Sequence, residues 1–266
     1  DAPMLFFAGG LLFKIVLTAG IVVAASMVVE RSGPFIGSLI ASLPTAGGAT
    51  MIILALEHPP AFIAGSAVGS IVSNAICAVF ALTYAVVAQR RSLAVSLTAA
   101  FAVWFALAFA AHFVQWTALT AMLTNLLVFP PAILAGARLR THIVREGRVH
   151  FTAADLAWRA GVVTVVVIVI TAASYSIGSF ASGLFAFFPV AMSSFLVILH
   201  MRLGGQAAAS TAAHVQAPLV GLGLSLLVVH VMAVTVGVWW SYLAGLSVGI
   251  GWNALLWALR QRRLSA

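Results

Sequence analysis

One cysteine in 266 residues, Cys77, lying inside an apolar run, leaves no disulfide and no thiolate metal site within a single chain. Carboxylates are almost as scarce. Asp and Glu number five, and Glu30, Glu57, Glu146 and Asp155 all fall at the ends of apolar runs or between them. Sodium sites and most proton relays in membranes depend on carboxylates within the spans. The sequence therefore argues against coupling through an intramembrane acid, and a cationic solute would find no counter-ion. Zinc-type HExxH, phosphate-loop and nucleophile-elbow patterns are missing, and no His/Asp/Ser group has catalytic spacing. The expectation is a protein that is not an enzyme and needs neither cofactor nor metal.

What is present is hydrocarbon. Hydrophobic residues make up 63% of the chain, charged ones 7%, and the mean hydropathy is +1.16. This is the composition of an all-α polytopic membrane protein. Asp1-Ala2-Pro3, ahead of Met4, reads as an added leader outside the argument, and Lys14 within the first apolar run speaks against a cleavable signal. Nine spans are expected, near 9–29, 34–56, 60–88, 93–114, 117–137, 156–175, 178–200, 206–234 and 237–259. On this map Arg31, Arg90, Arg91, Arg138, Arg140, Arg145, Arg148, Arg202, Arg260, Arg262 and Arg263 fall on one side, with Glu57, His58 and His112 on the other. The positive-inside rule makes the basic side cytoplasmic, so the expected place is a bacterial inner membrane, amino terminus outside and carboxyl terminus inside. The net charge of +8 then reports topology and contact with anionic lipid rather than nucleic acid.

Lys14 and Arg159 alone among the basic residues stay unplaced, and they mark a repeat. Shifted by 145 positions, "LLFKIVLTAGIVVAASMVVERSGPFIGSLIASLPTAGGATMIIL" overlays "LAWRAGVVTVVVIVITAASYSIGSFASGLFAFFPVAMSSFLVIL" without a gap. Lys14 lands on Arg159, Gly33 on Gly178, Phe35 on Phe180 and Pro44 on Pro189. Residues 4–115 form the first repeat (four spans), and 116–154 a linking span and basic cytoplasmic loop. Residues 155–260 form the second repeat, and 261–266 a cytoplasmic tail. One linking span inverts the second copy, giving a 4+1+4 plan of the kind secondary transporters use.

A basic residue at the start of the first helix, a proline thirty residues later and a "G-L-x-x-x-F-P" run resemble the small GlpM-type bacterial membrane proteins. "SGLFAFFPVAMSSFLV" is the nearer copy; "GSLIASLPTAGGATMI" keeps Leu43-Pro44-Thr45 but departs at its glycine pair. The resemblance implies a fused pair of subunits that would otherwise assemble antiparallel, with a loose tie to exopolysaccharide production and no named substrate.

Pro44 and Pro189 stand about ten residues into spans two and seven, near mid-depth. Either each kinks a continuous helix, or each breaks it and turns the N–H end of a second half-helix toward the bilayer centre. A break favours an anionic or acceptor-rich ligand, with Thr45, Thr50, Ser193 and Ser194 as hydroxyls and Gly47 and Gly48 permitting close approach. Span three, with Ser66, Ser70, Ser73 and Asn74, matches span eight, with His214 and Gln216; such residues either line a site or join helices. Asn125 is expected at the interface between repeats. Lys14 and Arg159 are either gating cations or snorkelling anchors. Asp155 is a ready partner for Arg159 one turn away, whereas Lys14 has only Gly10 there. His214 is the candidate proton-responsive group. Trp104, Trp116, Trp239, Trp240 and Tyr242 fit an aromatic belt.

The reading is a secondary transporter of a small anionic or polar solute, working by alternating access, in contact with membrane lipids and with a homo-oligomer open. The rivals are a channel for a small solute and a non-transporting partner of envelope polysaccharide or lipid machinery. Phe185, Phe187 and Phe188 around Pro189 favour the latter if they fill the ligand's space.

Overall fold

Without water to pair with, backbone groups in hydrocarbon must be satisfied within their own segment, and helix is the solution open to a single apolar run. The computed structural model describes the backbone at 2–41, 45–139 and 151–265, and side chains at 9–28, 46–139 and 151–262. Those residues form helices and connections with no strand. In chain order they are α1 (Ala2–Ala41), α2 (Thr45–Glu57), α3 (Pro60–Val87), α4 (Leu93–His112), α5 (Ala118–Leu139), α6 (Ala153–Ala186), α7 (Val190–Leu203), α8 (Gly205–His214), α9 (Gln216–Met232) and α10 (Val238–Ser265).

Seven stretches are long and apolar enough to cross a membrane: Gly9–Val28, Pro60–Val87, Leu93–His112, Ala118–Leu139, Ala153–Leu203, Gly205–Met232 and Val238–Arg262; Ala46–Glu57 is a shorter apolar helix. By length and composition this is a multi-pass membrane protein. The expected spans at 156–175 and 178–200 run together in Ala153–Leu203, with Gly178 at their boundary. Its φ of +81° and ψ of 174° turn the chain within α6, a conformation only glycine adopts without strain. Helical backbone in α1 likewise passes Gly33, the position matched to Gly178.

Local chemistry starts several helices. Pro60 opens α3, where its missing N–H costs nothing. Ser92 caps α4 by accepting from Val95 N–H. Thr152 and Asp155 form a reciprocal capping box at the start of α6.

The bilayer supplies no hydrophobic force between helices, so association rests on close packing and hydrogen bonds. α3 is the most buried of the crossing stretches. Its crossing with α6 is set by small residues: a Cβ on Gly183 would lie 1.7 Å from the Ser66 carbonyl oxygen. Ser66 Oγ donates to Ser179 O at 3.0 Å, and Ser70 Oγ to Gly183 O at 3.0 Å. Ser66 and Ser70 therefore join helices. The directions of α1 and α6 follow from two contacts. Lys14 Nζ donates to Thr171 Oγ1 and Arg159 Nη1 to Ser26 Oγ, so the start of each helix meets the later part of the other, and the two run antiparallel.

Candidate functional site

The second helix break is real. α6 ends at Ala186 and α7 begins at Val190, with Pro189 as its N-cap at ψ 40°. Proline offers no N–H and its ring crowds the preceding turn. The chain closes the gap with tight bonds, Phe188 N–H to Phe185 O at 2.8 Å and Val190 N–H to Phe188 O at 2.7 Å. In the first copy α2 starts at Thr45, at the matched position. Pro44 and the Thr45 side chain lie outside the described residues.

The residues expected around these breaks separate into three places. At Gly47 the space belongs to the protein: a Cβ there would lie 2.6 Å from Phe187 Cε1, so the ring already rests on this glycine. Thr50 Oγ1 and Ser193 Oγ donate back to carbonyls of their own helices, Ala46 at 2.9 Å and Val190 at 3.1 Å. Gly48, by contrast, lines a cavity of about 380 Å³. Its walls come from α1, α2, Phe187, α9 and α10, and its polar groups are Ser225, Tyr242 and Asn253. Tyr242 Oη donates to Met51 O at 2.8 Å and ties α10 to α2.

The second place is the contact of α3, α5 and α9. Asn74 Nδ2 donates to Asn125 Oδ1 and to Leu219 O, each at 2.9 Å, while Asn125 Nδ2 donates to Ile71 O at 2.8 Å. Gln216 Nε2 donates to Ala78 O at 3.0 Å. Asn125 thus bonds α3 and its own α5, and it is Asn74 that reaches α9, through Leu219 O. Asn74 Oδ1, Gln216 Oε1 and Ser73 Oγ are buried with no hydrogen-bond partner among the described residues. His214, half-buried at the end of α8, bonds Ser210 O through Nδ1 at 2.7 Å.

The third place holds the cations, and here sequence expectations need correcting. Lys14 does have an acidic partner: Glu57 Oε1, at the end of α2, lies 2.6 Å from its Nζ. Arg159 does not take Asp155, which is occupied by the Thr152 cap and by Arg202. Arg159 is instead 6% exposed, turned inward. It donates to Ser26 Oγ at 2.6 Å, Ser194 Oγ at 3.3 Å and Ala191 O at 3.5 Å. The Phe151 and Phe195 rings lie 5.5 and 5.4 Å from its Cζ. Among the described residues no carboxylate pairs with it. Two hydroxyls, a carbonyl and aromatic faces solvate a full positive charge without neutralising it.

Trp104 also departs from expectation. It is fully buried against Phe185 and Phe188 rather than belted at the surface, while Trp239 and Trp240 are exposed as a belt requires. His58 lies between α2 and α3, with Nε2 2.8 Å from Ser174 Oγ and its ring stacked on Phe62. Burial lowers its pKa, and the neighbouring Glu57 charge opposes that shift. No group of three or more metal-ligating side chains occurs among the described residues.

Sequence reasoning missed Glu57, Ser26, Thr171 and the α9–α10 side of the cavity. Ser26 and Thr171 were detectable, because they are matched positions in the 145-residue register. Compared with known protein families, curated proteins and solved structures, the chain shows no match.

Proposed function

We propose that the chain is a bacterial inner-membrane carrier of a small anionic or polar solute, made of two inverted four-span repeats joined by a linking span. Several features support the repeat. Helix starts at Thr45 and Val190, Pro60 and Gly205, and Leu93 and Val238 are each 145 positions apart, as are the helix ends at Val87 and Met232. The cation contacts are reciprocal, Lys14 to Thr171 and Arg159 to Ser26, each reaching the partner's matched hydroxyl. Asn74 bonds Leu219, 145 residues away, and matched positions touch each other when they lie near a two-fold axis. An antiparallel pair with interrupted helices is the plan that carriers rock about a midplane site.

The solute class rests on Arg159. Among the described residues Arg159 has no counter-charge, and a buried cation in that state costs roughly several kcal/mol and marks a functional position by default in a membrane protein. The N-terminal end of α7 begins beside it, where Arg159 reaches Ala191 O, and adds positive potential. An anion arriving from the cytoplasmic side would complete the charge balance. In proteoliposomes loaded with organic anions and phosphate, Arg159→Gln is expected to lower flux at least tenfold without lowering melting temperature. Wild-type flux in that variant removes the assignment.

A second reading, a partner of envelope lipid or polysaccharide machinery, is favoured by Phe187 on Gly47 and by the apolar character of the cavity.

A further inference from the structure

The cavity has a counterpart in the other half, and there it is full. In the 145-residue register Ser225 matches Phe80, Leu246 matches Phe101, and Gly249 matches Trp104. Phe80 and Trp104 are fully buried, and Phe80–Phe101 and Trp104–Phe188 have ring centroids 5.1 and 5.0 Å apart. Where one half packs three aromatic side chains, the other places a serine, a leucine and a glycine. Those substitutions leave the 380 Å³ that Gly48, Met51, Pro218 and Leu222 also border. A volume of this size falls within the range of small-ligand pockets, roughly 300–1,000 Å³.

Position and lining define what fits. Ile21 lies well inside the apolar stretch Gly9–Val28, and Gly249 near the middle of Val238–Arg262, which puts the cavity at mid-depth. Leu246, which lines it, is 48% exposed, and its neighbours Val248 and Ile250 are exposed too, so the α10 wall of the cavity is also an outer surface of the described bundle. Apart from Ser225, Tyr242 and Asn253 the walls are apolar, and the Tyr242 hydroxyl is already spent on Met51. A polar or charged solute would lose its hydration there without replacement.

We infer that this cavity is a lateral binding site for a single hydrocarbon chain drawn from the bilayer, the acyl chain of a membrane lipid. The inference is independent of the transport reading, since Arg159 and its surroundings take no part in it.

Stearic acid carrying a nitroxide near its chain end, added to the protein in lipid nanodiscs, tests it. Wild type is expected to show one saturable, motion-restricted chain per protein. Ser225→Phe and Leu226→Trp, which fill the cavity from α9, are expected to weaken that binding at least tenfold while remaining monodisperse. An unchanged restricted component in both filled variants overturns the inference. Reactivity at the wall guards against misfolding of the filled variants. With Cys77→Ala in place, Ser225→Cys is expected to react with N-ethylmaleimide, to resist a charged methanethiosulfonate, and to be slowed at least fivefold by stearate. Equal reaction with the charged reagent, reaction with neither, or no slowing by stearate each overturns it.

Discussion

Positions 145 residues apart in the chain carry different side chains and are packed differently. On the side of α3, α4 and α7 an aromatic cluster of Phe80, Phe101, Trp104, Phe185 and Phe188 closes the space next to a broken helix. On the side of α9, α10 and α2 the matched space stays open, with Phe187 alone reaching across to Gly47. The cations differ in the same way. Lys14 is neutralised by Glu57, whereas Arg159 is held by hydroxyls. Among the described residues, one side is packed with aromatic rings and its cation is paired, and the other has a cavity and a cation that no carboxylate pairs.

The largest effect that would sharpen this contrast comes from emptying the full side. Trp104→Ala removes a fully buried ring from among Phe105, Phe185 and Phe188. A loss of about 3–5 kcal/mol is expected from large-to-small core changes of this kind. Filling the open side with Leu226→Trp is expected to move stability by about 1 kcal/mol or less, because the added volume enters space that is vacant. Denaturant unfolding in detergent measures both. Equal costs would break the comparison, since they would mean that the open side is packed as tightly as the closed one.

How much of this was visible beforehand follows from which residues are rare in hydrocarbon. Pro189 announced its break because nothing else in an apolar run removes a donor. Asn125 announced a helix contact because a buried amide needs partners. Trp104 gave no such signal. An aromatic ring is equally at home in lipid, at the headgroups or inside the protein, so apolar composition cannot say which face it takes. The cation partners were misjudged for a different reason. Reading one helix at a time paired Arg159 with Asp155 by their one-turn spacing, but the acid serves the Thr152 cap and Arg202 instead. Glu57 lies forty-three residues from Lys14 in the chain and meets it only through the packing of α1 with α2. The cavity was illegible until the register joined Gly249 to Trp104, because a glycine reads as closeness in a sequence whether or not anything fills it.

The cations supply the next test, and the two variants are expected to differ in sign. Lys14→Met strands the Glu57 carboxylate, largely buried with its side chain 22% exposed, and is expected to cost about 1–3 kcal/mol. Arg159→Met removes a charge that no carboxylate among the described residues balances. The hydroxyls it leaves, Ser26 and Ser194, already donate to Val22 O and Ala191 O. Stability is expected to hold or to rise by about 1 kcal/mol, as when buried charges give way to apolar groups. Thermal unfolding of the two variants side by side decides it. A larger loss for Arg159→Met than for Lys14→Met would make the arginine a structural strut and leave the anion proposal without its foundation.

The smallest effect concerns pH and again separates the ends. His58 is next to Glu57 at the end of α2, and the matched position, Leu203 beside Arg202, cannot titrate. The groups facing the imidazole are Glu57, Ser174, Tyr175 and Phe62, with Lys14 beyond Glu57. Burial holds its pKa below the ordinary 6.5, against the opposing pull of the Glu57 charge. The unfolded chain therefore binds the proton first as pH falls. Stability attached to the neutral imidazole is complete above pH 6.5 and declines as pH drops from there through the lowered folded value. Melting temperature is expected to fall between pH 7 and pH 5 in wild type and to fall less in His58→Gln, whose amide keeps a bond to Ser174. A wild-type curve that rises on acidification would mean that Glu57 outweighs burial, and that this end of α2 stabilises the imidazolium as a second neutralised cation beside Lys14.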